Sequence, residues 1–374
     1  MKITNVTAHH LPGQRYPWVF LHIDTDAGIR GLGQVSSGPH SAVVAAAASQ
    51  LGPLLIGEDP TRIEYLWHKL YASFNSLGSH GFVSALISGV DIALWDIRGK
   101  SLGLPVYELL GGRVHDRLIL YSNGWFSGCE TPDDFARAAT ETVRHGHTAL
   151  KLDPFRRGYA YLSRYAASYP PPDDMEAVAI VAAIREAIGP GIEIFIDAHG
   201  RFDVATAIRL ANRLAPYRIS WFEEPVPPEN WDALRQFRDQ TSVPVSVGER
   251  LYTRWQFRPV LEQKLAEYIM PDVIRTGGIS ELKKIATMAE AFYVPISPHD
   301  ATGPVTLIVG AQTMMSTPNF FRLEIAYSEL EVYQRVVDPP FEVHDGYFHV
   351  SDRPGLGHEL REEYLEQTIG GRVR

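Results

Sequence analysis

Eight short apolar runs, separated by helix-length segments, predict a closed (β/α)8 barrel. A different grammar over roughly the first hundred residues predicts a smaller α+β unit beside it. The runs are LILYS (118–122), ALKLD (149–153), IEIFIDA (192–198), ISWFEE (219–224), PVSVGE (244–249), EYIMPD (267–272), VPISPH (294–299) and FRLEI (321–325). Each is rich in Val, Ile and Phe without strict alternation, as parallel strands buried on both faces read. An open doubly wound sheet is the structural alternative. Its nucleotide-binding form needs a Gly-rich turn after a strand, and none of the runs carries one.

The α+β unit is assigned to residues 1–117. ITNVTAHHL and WVFLHIDTD alternate as strands. SALISGVDIALWDIRGKSLG (84–103) places Ala85, Ile92, Leu94, Trp95 and Ile97 in a mostly apolar helix. LPVYELLGGR (104–113) adds a short helix with a glycine stop. The barrel is assigned to residues 118–344, and residues 345–374 form a C-terminal tail.

Composition narrows the function. The chain has 374 residues, 45% hydrophobic and 21% charged, enough for one large core and a smaller one. A single cysteine, Cys129, allows no disulfide within the chain and suits a reducing, cytoplasmic setting. No signal-peptide pattern opens the sequence, and no run of apolar residues is long enough for a membrane span. Net charge is −9 with no basic tract, which argues against nucleic acid or an anionic membrane as partner. A small-molecule substrate is expected instead.

Nearly every run ends in an ionisable group. Lys151 and Asp153 close the second, Asp197 the third, Glu223 and Glu224 the fourth, Glu249 the fifth. Asp272 closes the sixth, His299 the seventh and Glu324 the eighth, and His199 lies just past Asp197. In a barrel these tips share the rim that carries active sites. Asp197, Glu223 and Glu249 follow one another at intervals of 26 residues. Three converging carboxylates repel, and each would protonate unless a cation sat among them. Oxygen donors on rigid strands suit Mg²⁺. A lone strand-end carboxylate is usually a loop cap, and Glu224, adjacent to Glu223, is read that way.

These residues carry a resemblance over essentially the whole chain. The motifs are SGVDIALWDIRGKSLGLPVYELLGG, KLD, DAHGR, WFEEPVPPEN, VGER, MPDVIRTGG, SPHD and DRPGLG. The set resembles the enolase superfamily in its mandelate racemase-like branch. The resemblance implies a modified TIM-type barrel capped by the α+β unit, with the C-terminal tail returning to that cap. By motif, it implies Asp197, Glu223 and Glu249 as ligands of one Mg²⁺, His299 with Asp272 as a basic dyad, and Glu324 as a hydrogen-bonding partner of the developing oxyanion. Lys151 matches the first lysine of a Lys-x-Lys motif; Asp153 stands where the second would be. A second-strand base is therefore missing, which speaks against a two-base racemase.

DAHGR, with SNGW (122–125) and LKLDPF (150–155), is most similar to gluconate- and galactonate-type dehydratases. The expected reaction is loss of water from an aldonate, a sugar acid, to give a 2-keto-3-deoxy acid. His299 would take the C2 proton, and Lys151 with a protonated Glu324 would stabilise the resulting charge. His199 would protonate the departing 3-hydroxyl. An epimerase or cycloisomerase on the same scaffold is the alternative; it needs no such acid. Substrate contacts are assigned to Arg15, Tyr16, Trp18, Asn123, Trp125, Asp153 and Arg201. The Tyr- and Arg-rich insert 155–174 is expected to close over the substrate. The resemblance also implies a homo-oligomer, octamers being common in the family.

Overall fold

The computed structural model of the protein describes residues 1–78, 80–155 and 174–367. The capping unit opens with three antiparallel strands: β1 (Ile3–Leu11), β2 (Trp18–Thr25) and β3 (Arg30–Ser37). β2 is the middle strand and is buried along nearly its whole length: Val19, Leu21 and Ile23 pack into one hydrophobic core, Trp18 and Phe20 into another. The 21-residue helix Phe82–Leu102 packs on β3. It comes so close that a Cβ on Gly33 would sit 2.0 Å from the Gly89 carbonyl oxygen. The helix ends at Gly103 in the left-handed region, the usual glycine stop. The apolar helix expected over 84–103 is thus present, extended by two residues at its start.

The barrel strands are β4 (Leu118–Asn123), β5 (Ala149–Leu152), β6 (Glu193–Asp197), β7 (Trp221–Glu223), β8 (Val245–Val247), β9 (Tyr268–Ile269) and β10 (Leu323–Ala326). They pair in parallel and in sequence order, and β10 returns to β4. The run 294–299 differs from expectation. It forms no strand of its own; Ile296 alone bridges Ile269 on one side and Phe320 on the other. Two prolines, Pro295 and Pro298, flank that bridge and cannot donate to a ladder.

The tail also departs from the expected boundary. Residues Glu342–His344 and Tyr347–His349 form a hairpin whose second strand pairs antiparallel with the start of β4. The chain therefore stays on the barrel beyond residue 345. Only afterwards does it reach the cap: the Leu356 N–H donates to Asp96 and the Tyr364 hydroxyl to the Pro12 carbonyl.

Candidate active site

The barrel interior explains why the strand ends carry charge. Tyr121, Phe195, Trp221 and Met270 form a buried layer, with the Phe195 and Trp221 rings stacked 3.6 Å apart. Register pairs Phe195 with Trp221, and one pleat later Asp197 with Glu223. Side chains two residues apart share a face, so both carboxylates point inward on top of the aromatic floor. Lys151 is in register with Phe195 and Glu324 with Tyr121, which brings them inward as well. Glu249 arrives differently. Gly248, at φ 149°, lies against the Met270 backbone, where a Cβ would approach to 2.7 Å. That close passage turns the chain so that Glu249 faces the barrel axis.

The charges pair across the axis. The buried Lys151 Nζ lies 2.7 Å from Glu324, 3.1 Å from Glu223 and 3.6 Å from Asp197. Burial pushes its pKa down, but the surrounding carboxylates win and hold it well above the usual lysine value. Burial raises the Glu223 carboxyl well above its ordinary value, and the negative Asp197 beside it adds to the effect. Glu324 goes the other way. Against the cost of burial, Lys151 and His299 hold its carboxyl below the ordinary range. It accepts from Asn123 at 2.9 Å and from the Asp300 N–H at 3.2 Å. These neighbours favour the charged form of Glu324, not the protonated state expected of it.

Two imidazoles flank this group. His299 places Nδ1 2.9 Å from Asp272 and Nε2 3.0 Å from Glu249. Burial opposes its charging, but Glu324, Glu249 and Asp272 outweigh burial and raise its pKa well above the usual value. The same contact pulls Glu249 well below its usual value despite burial. Asp272 is itself held by the Ile274 N–H and lies 3.4 Å from Arg275. His199 adopts φ 52°, rare for a residue with a side chain. Its N–H donates to Asp197 at 2.9 Å, its Nδ1 lies 3.0 Å from Asp153, and its Nε2 lies 3.4 Å from Asp197.

The expected metal ligands stand at or just past neighbouring strand ends, where they meet cations of the chain itself. Among the described residues no three His, Cys, Asp or Glu side chains form a ready-made metal cage. Asp197, Glu223 and Glu249 turn instead to Lys151, His199 and His299. Their donor chemistry still fits a hard divalent cation: oxygen donors on neighbouring strand ends, with the buried Glu223 Oε2 lacking any hydrogen-bond partner.

A cavity of about 420 Å³ opens above the cluster, lined by Arg15, Asn123, Asp153, Asp197, His199 and Glu329 among others. It brings together part of the expected substrate-contacting set and corrects the rest. Arg15 and Asn123 face it. Tyr16 is absent from its walls. Trp18 is 1% exposed, packed edge-on to Tyr333 and beside Phe20. Trp125 is buried against Phe126 and Phe135, and its Nε1 donates to the Lys151 carbonyl oxygen at 2.8 Å. Both tryptophans support the site from behind. Asp153 lines the cavity but is taken up by His199 and Arg201, and Arg201 is turned onto it. Residues 156–173 of the expected lid lie outside the described residues.

Three further residues belong to the site. Arg250 lies 2.8 Å from Glu224 and 3.4 Å from Glu249. Glu224 is thus a buried ion-pair partner rather than a loop cap, turned away from Glu223 at φ 41°. Burial raises its carboxyl to about 7 even with Arg250 beside it. Arg275 donates to the Glu249 carbonyl oxygen at 2.8 Å. Asp300, next to His299 in the chain, is fully buried, and neither of its carboxylate oxygens finds a hydrogen-bond partner among the described residues. The only sequence signal for these three was their place inside VGER, MPDVIRTGG and SPHD.

Residues 5–111 match the mandelate racemase / muconate lactonizing enzyme N-terminal domain, and residues 134–364 the enolase C-terminal domain-like family. A D-galactonate dehydratase of Pectobacterium atrosepticum is 38% identical over 98% of this chain and 94% of its own. A D-gluconate dehydratase of Thermoproteus tenax is 36% identical over 87% of this chain, which spans 64% of that relative's length. The crystal structure of a member of the enolase superfamily from Salmonella Typhimurium has a TM-score of 0.90 at 31% identity, covering 98% of both chains. With both domains matched, the chain belongs to the enolase superfamily, in its mandelate racemase / muconate lactonizing enzyme branch.

Proposed function

We propose that the protein is a Mg²⁺-dependent dehydratase of a sugar acid, an aldonate of the gluconate or galactonate kind. One observation carries this reading: a second imidazole, His199, stands in the cavity wall beside the strand-end carboxylates, while His299 forms a separate dyad with Asp272. Elimination needs both a base for the C2 proton and an acid for the 3-hydroxyl, since hydroxide leaves poorly. The named relatives support the substrate class.

Asp197, Glu223 and Glu249 would hold Mg²⁺, whose charge would acidify the proton next to a bound carboxylate. His299 Nε2 takes the C2 proton, with Asp272 fixing the ring through Nδ1. Lys151 supplies fixed positive charge where electron density builds on the substrate carboxylate. His199 gives a proton to the 3-hydroxyl, which departs as water. The enol that remains ketonises to the 2-keto-3-deoxy acid.

The test is a screen of the purified protein with Mg²⁺ against aldonates, using a colour reaction for 2-keto-3-deoxy acids. Product from one or two aldonates of matching C2 configuration is expected. Absence of product across the set, with C2 proton exchange still visible by NMR in D₂O, overturns elimination in favour of an isomerase.

A further inference from the structure

Asp153 stands one residue past the end of β5, at the rim, yet nothing about its bonding leaves it free to bind a substrate. Its Oδ1 accepts from the Phe155 N–H at 2.9 Å and from Arg201 Nη2 at 2.7 Å. Its Oδ2 accepts from the same guanidinium nitrogen at 2.6 Å and faces His199 Nδ1 at 3.0 Å. The residue is 2% exposed. Three donors converge on one buried carboxylate, and only one of them belongs to a group that reaches the cavity.

We propose that Asp153 is a positioning residue that, anchored by Arg201 and the Phe155 N–H, holds a hydrogen on His199 Nδ1 and so turns Nε2, the nitrogen that gives up its proton, to the reacting side. The inference rests on His199 being the acid of the elimination proposed above. A carboxylate can only accept. Burial disfavours its charge, but His199 and Arg201 hold Asp153 below the ordinary carboxylate range, so it is an acceptor throughout the neutral range. The nitrogen facing it must therefore carry hydrogen. The other nitrogen, 3.4 Å from Asp197, is the one that exchanges its proton with a ligand in the cavity. Asp272 treats His299 in the same way, also at Nδ1. The site thus contains two carboxylate–imidazole pairs, each held at Nδ1 and each with Nε2 set against a strand-end carboxylate, Glu249 or Asp197. The position that would carry a second-strand base in a two-base enzyme here orients an acid. C2 chemistry is then confined to the His299 face.

The geometry predicts what an isosteric change does. In Asp153→Asn the amide oxygen stays where two donors, the Phe155 N–H and Arg201, require an acceptor. The amide NH₂ then faces His199 Nδ1 and drives the ring proton to Nε2, the wrong-tautomer effect known for a triad aspartate.

The experiment uses the full chain with ¹⁵N-labelled histidine imidazoles, without added metal, His199 being assigned by its loss in His199→Gln. The expected spectra, taken at a pH where the ring is neutral, show its remaining proton on Nδ1 in the unmodified protein and on Nε2 in Asp153→Asn. With Mg²⁺ and the aldonate found in the screen, Asp153→Asn is expected to lose about 100-fold in kcat. KM and C2 proton exchange should stay within about threefold, because the His299 half is untouched. A neutral ring that keeps its one proton on Nε2 in the unmodified protein overturns the proposal without any variant. So does an Asp153→Asn enzyme that loses exchange and elimination together, the mark of a merely structural role. If no aldonate is dehydrated at all, the functional reading fails, while the spectra still decide the position of the His199 proton.

Discussion

Lys151→Met removes the one ammonium among Asp197, Glu223 and Glu324 while keeping the apolar stem of the side chain. Lys151 is 1% exposed and lies within 3.6 Å of all three carboxylates. Removing one partner of a buried ion pair costs about 3–5 kcal/mol, because the remaining charges stay buried and uncompensated. At about 2 °C per kcal/mol for a chain of this size, the melting temperature should fall by roughly 6–10 °C at pH 7.5 in EDTA. The deficit also has a pH signature. Without Lys151, burial and mutual repulsion raise Glu223 and Glu324 above the unfolded carboxyl value of about 4.3. A raised carboxyl binds its proton more tightly folded than unfolded, so stability recovers as pH falls through the raised value. The gap between variant and parent should therefore narrow at pH 5. Added Mg²⁺ should restore more of the variant's stability than of the parent's. A fall under 2 °C, or one of the same size at both pH values, would refute the view that Lys151 is the resident counter-charge of the site.

Two further outcomes follow from residues outside the reacting groups. Trp125→Phe retains the ring packing but leaves the Lys151 carbonyl without its donor, costing about 1–3 kcal/mol of stability in urea titrations. Its KM should stay within about twofold of the parent; a tenfold rise would restore Trp125 as a substrate contact. In the cap, His22 is buried with Nδ1 3.1 Å from His9 Nε2. Burial, then the neighbouring His9, lowers its pKa to about 3. The unfolded chain binds that proton near pH 6.5 and the folded chain does not, so stability is lost as pH falls from about 6.5 towards 3. The loss from this residue is about 2 kcal/mol between pH 7.5 and 5. His22→Leu should flatten the urea midpoint over that range by the corresponding amount, and an unchanged slope would remove His22 as the cause.

What was legible in the sequence was periodic. Apolar runs at regular spacing placed the strands. Strand-end position then placed Lys151, Asp197, Glu223 and Glu324; for Asp197 and Glu223 the reason is that a side chain two residues beyond an inward aromatic, Phe195 or Trp221, also points inward. The seventh strand was overcalled, since apolar character alone does not reveal that Pro295 and Pro298 leave Ile296 a single bridge. Residues beyond the strand tips were harder. A loop aromatic reads the same whether it faces a cavity, as Phe126 does, or supports it from behind, as Trp125 does. Counter-charges such as Arg250 and Arg275 are defined only by partners on other strands. Glu224 was misread because the turn that buries it is a backbone rotation with no compositional mark.

Asp153 joins these two classes. Its identity was visible as a departure from a two-lysine pattern, and that departure alone argued against a base on the second strand. The structure adds a cause for the departure. A lysine at that position would stand against the Arg201 guanidinium and the His199 ring, where a carboxylate now accepts from both. On the proposed reading, the acid at His199 and the absent second base are two consequences of one residue. A chain that oriented His199 through this position had no room to keep a lysine there.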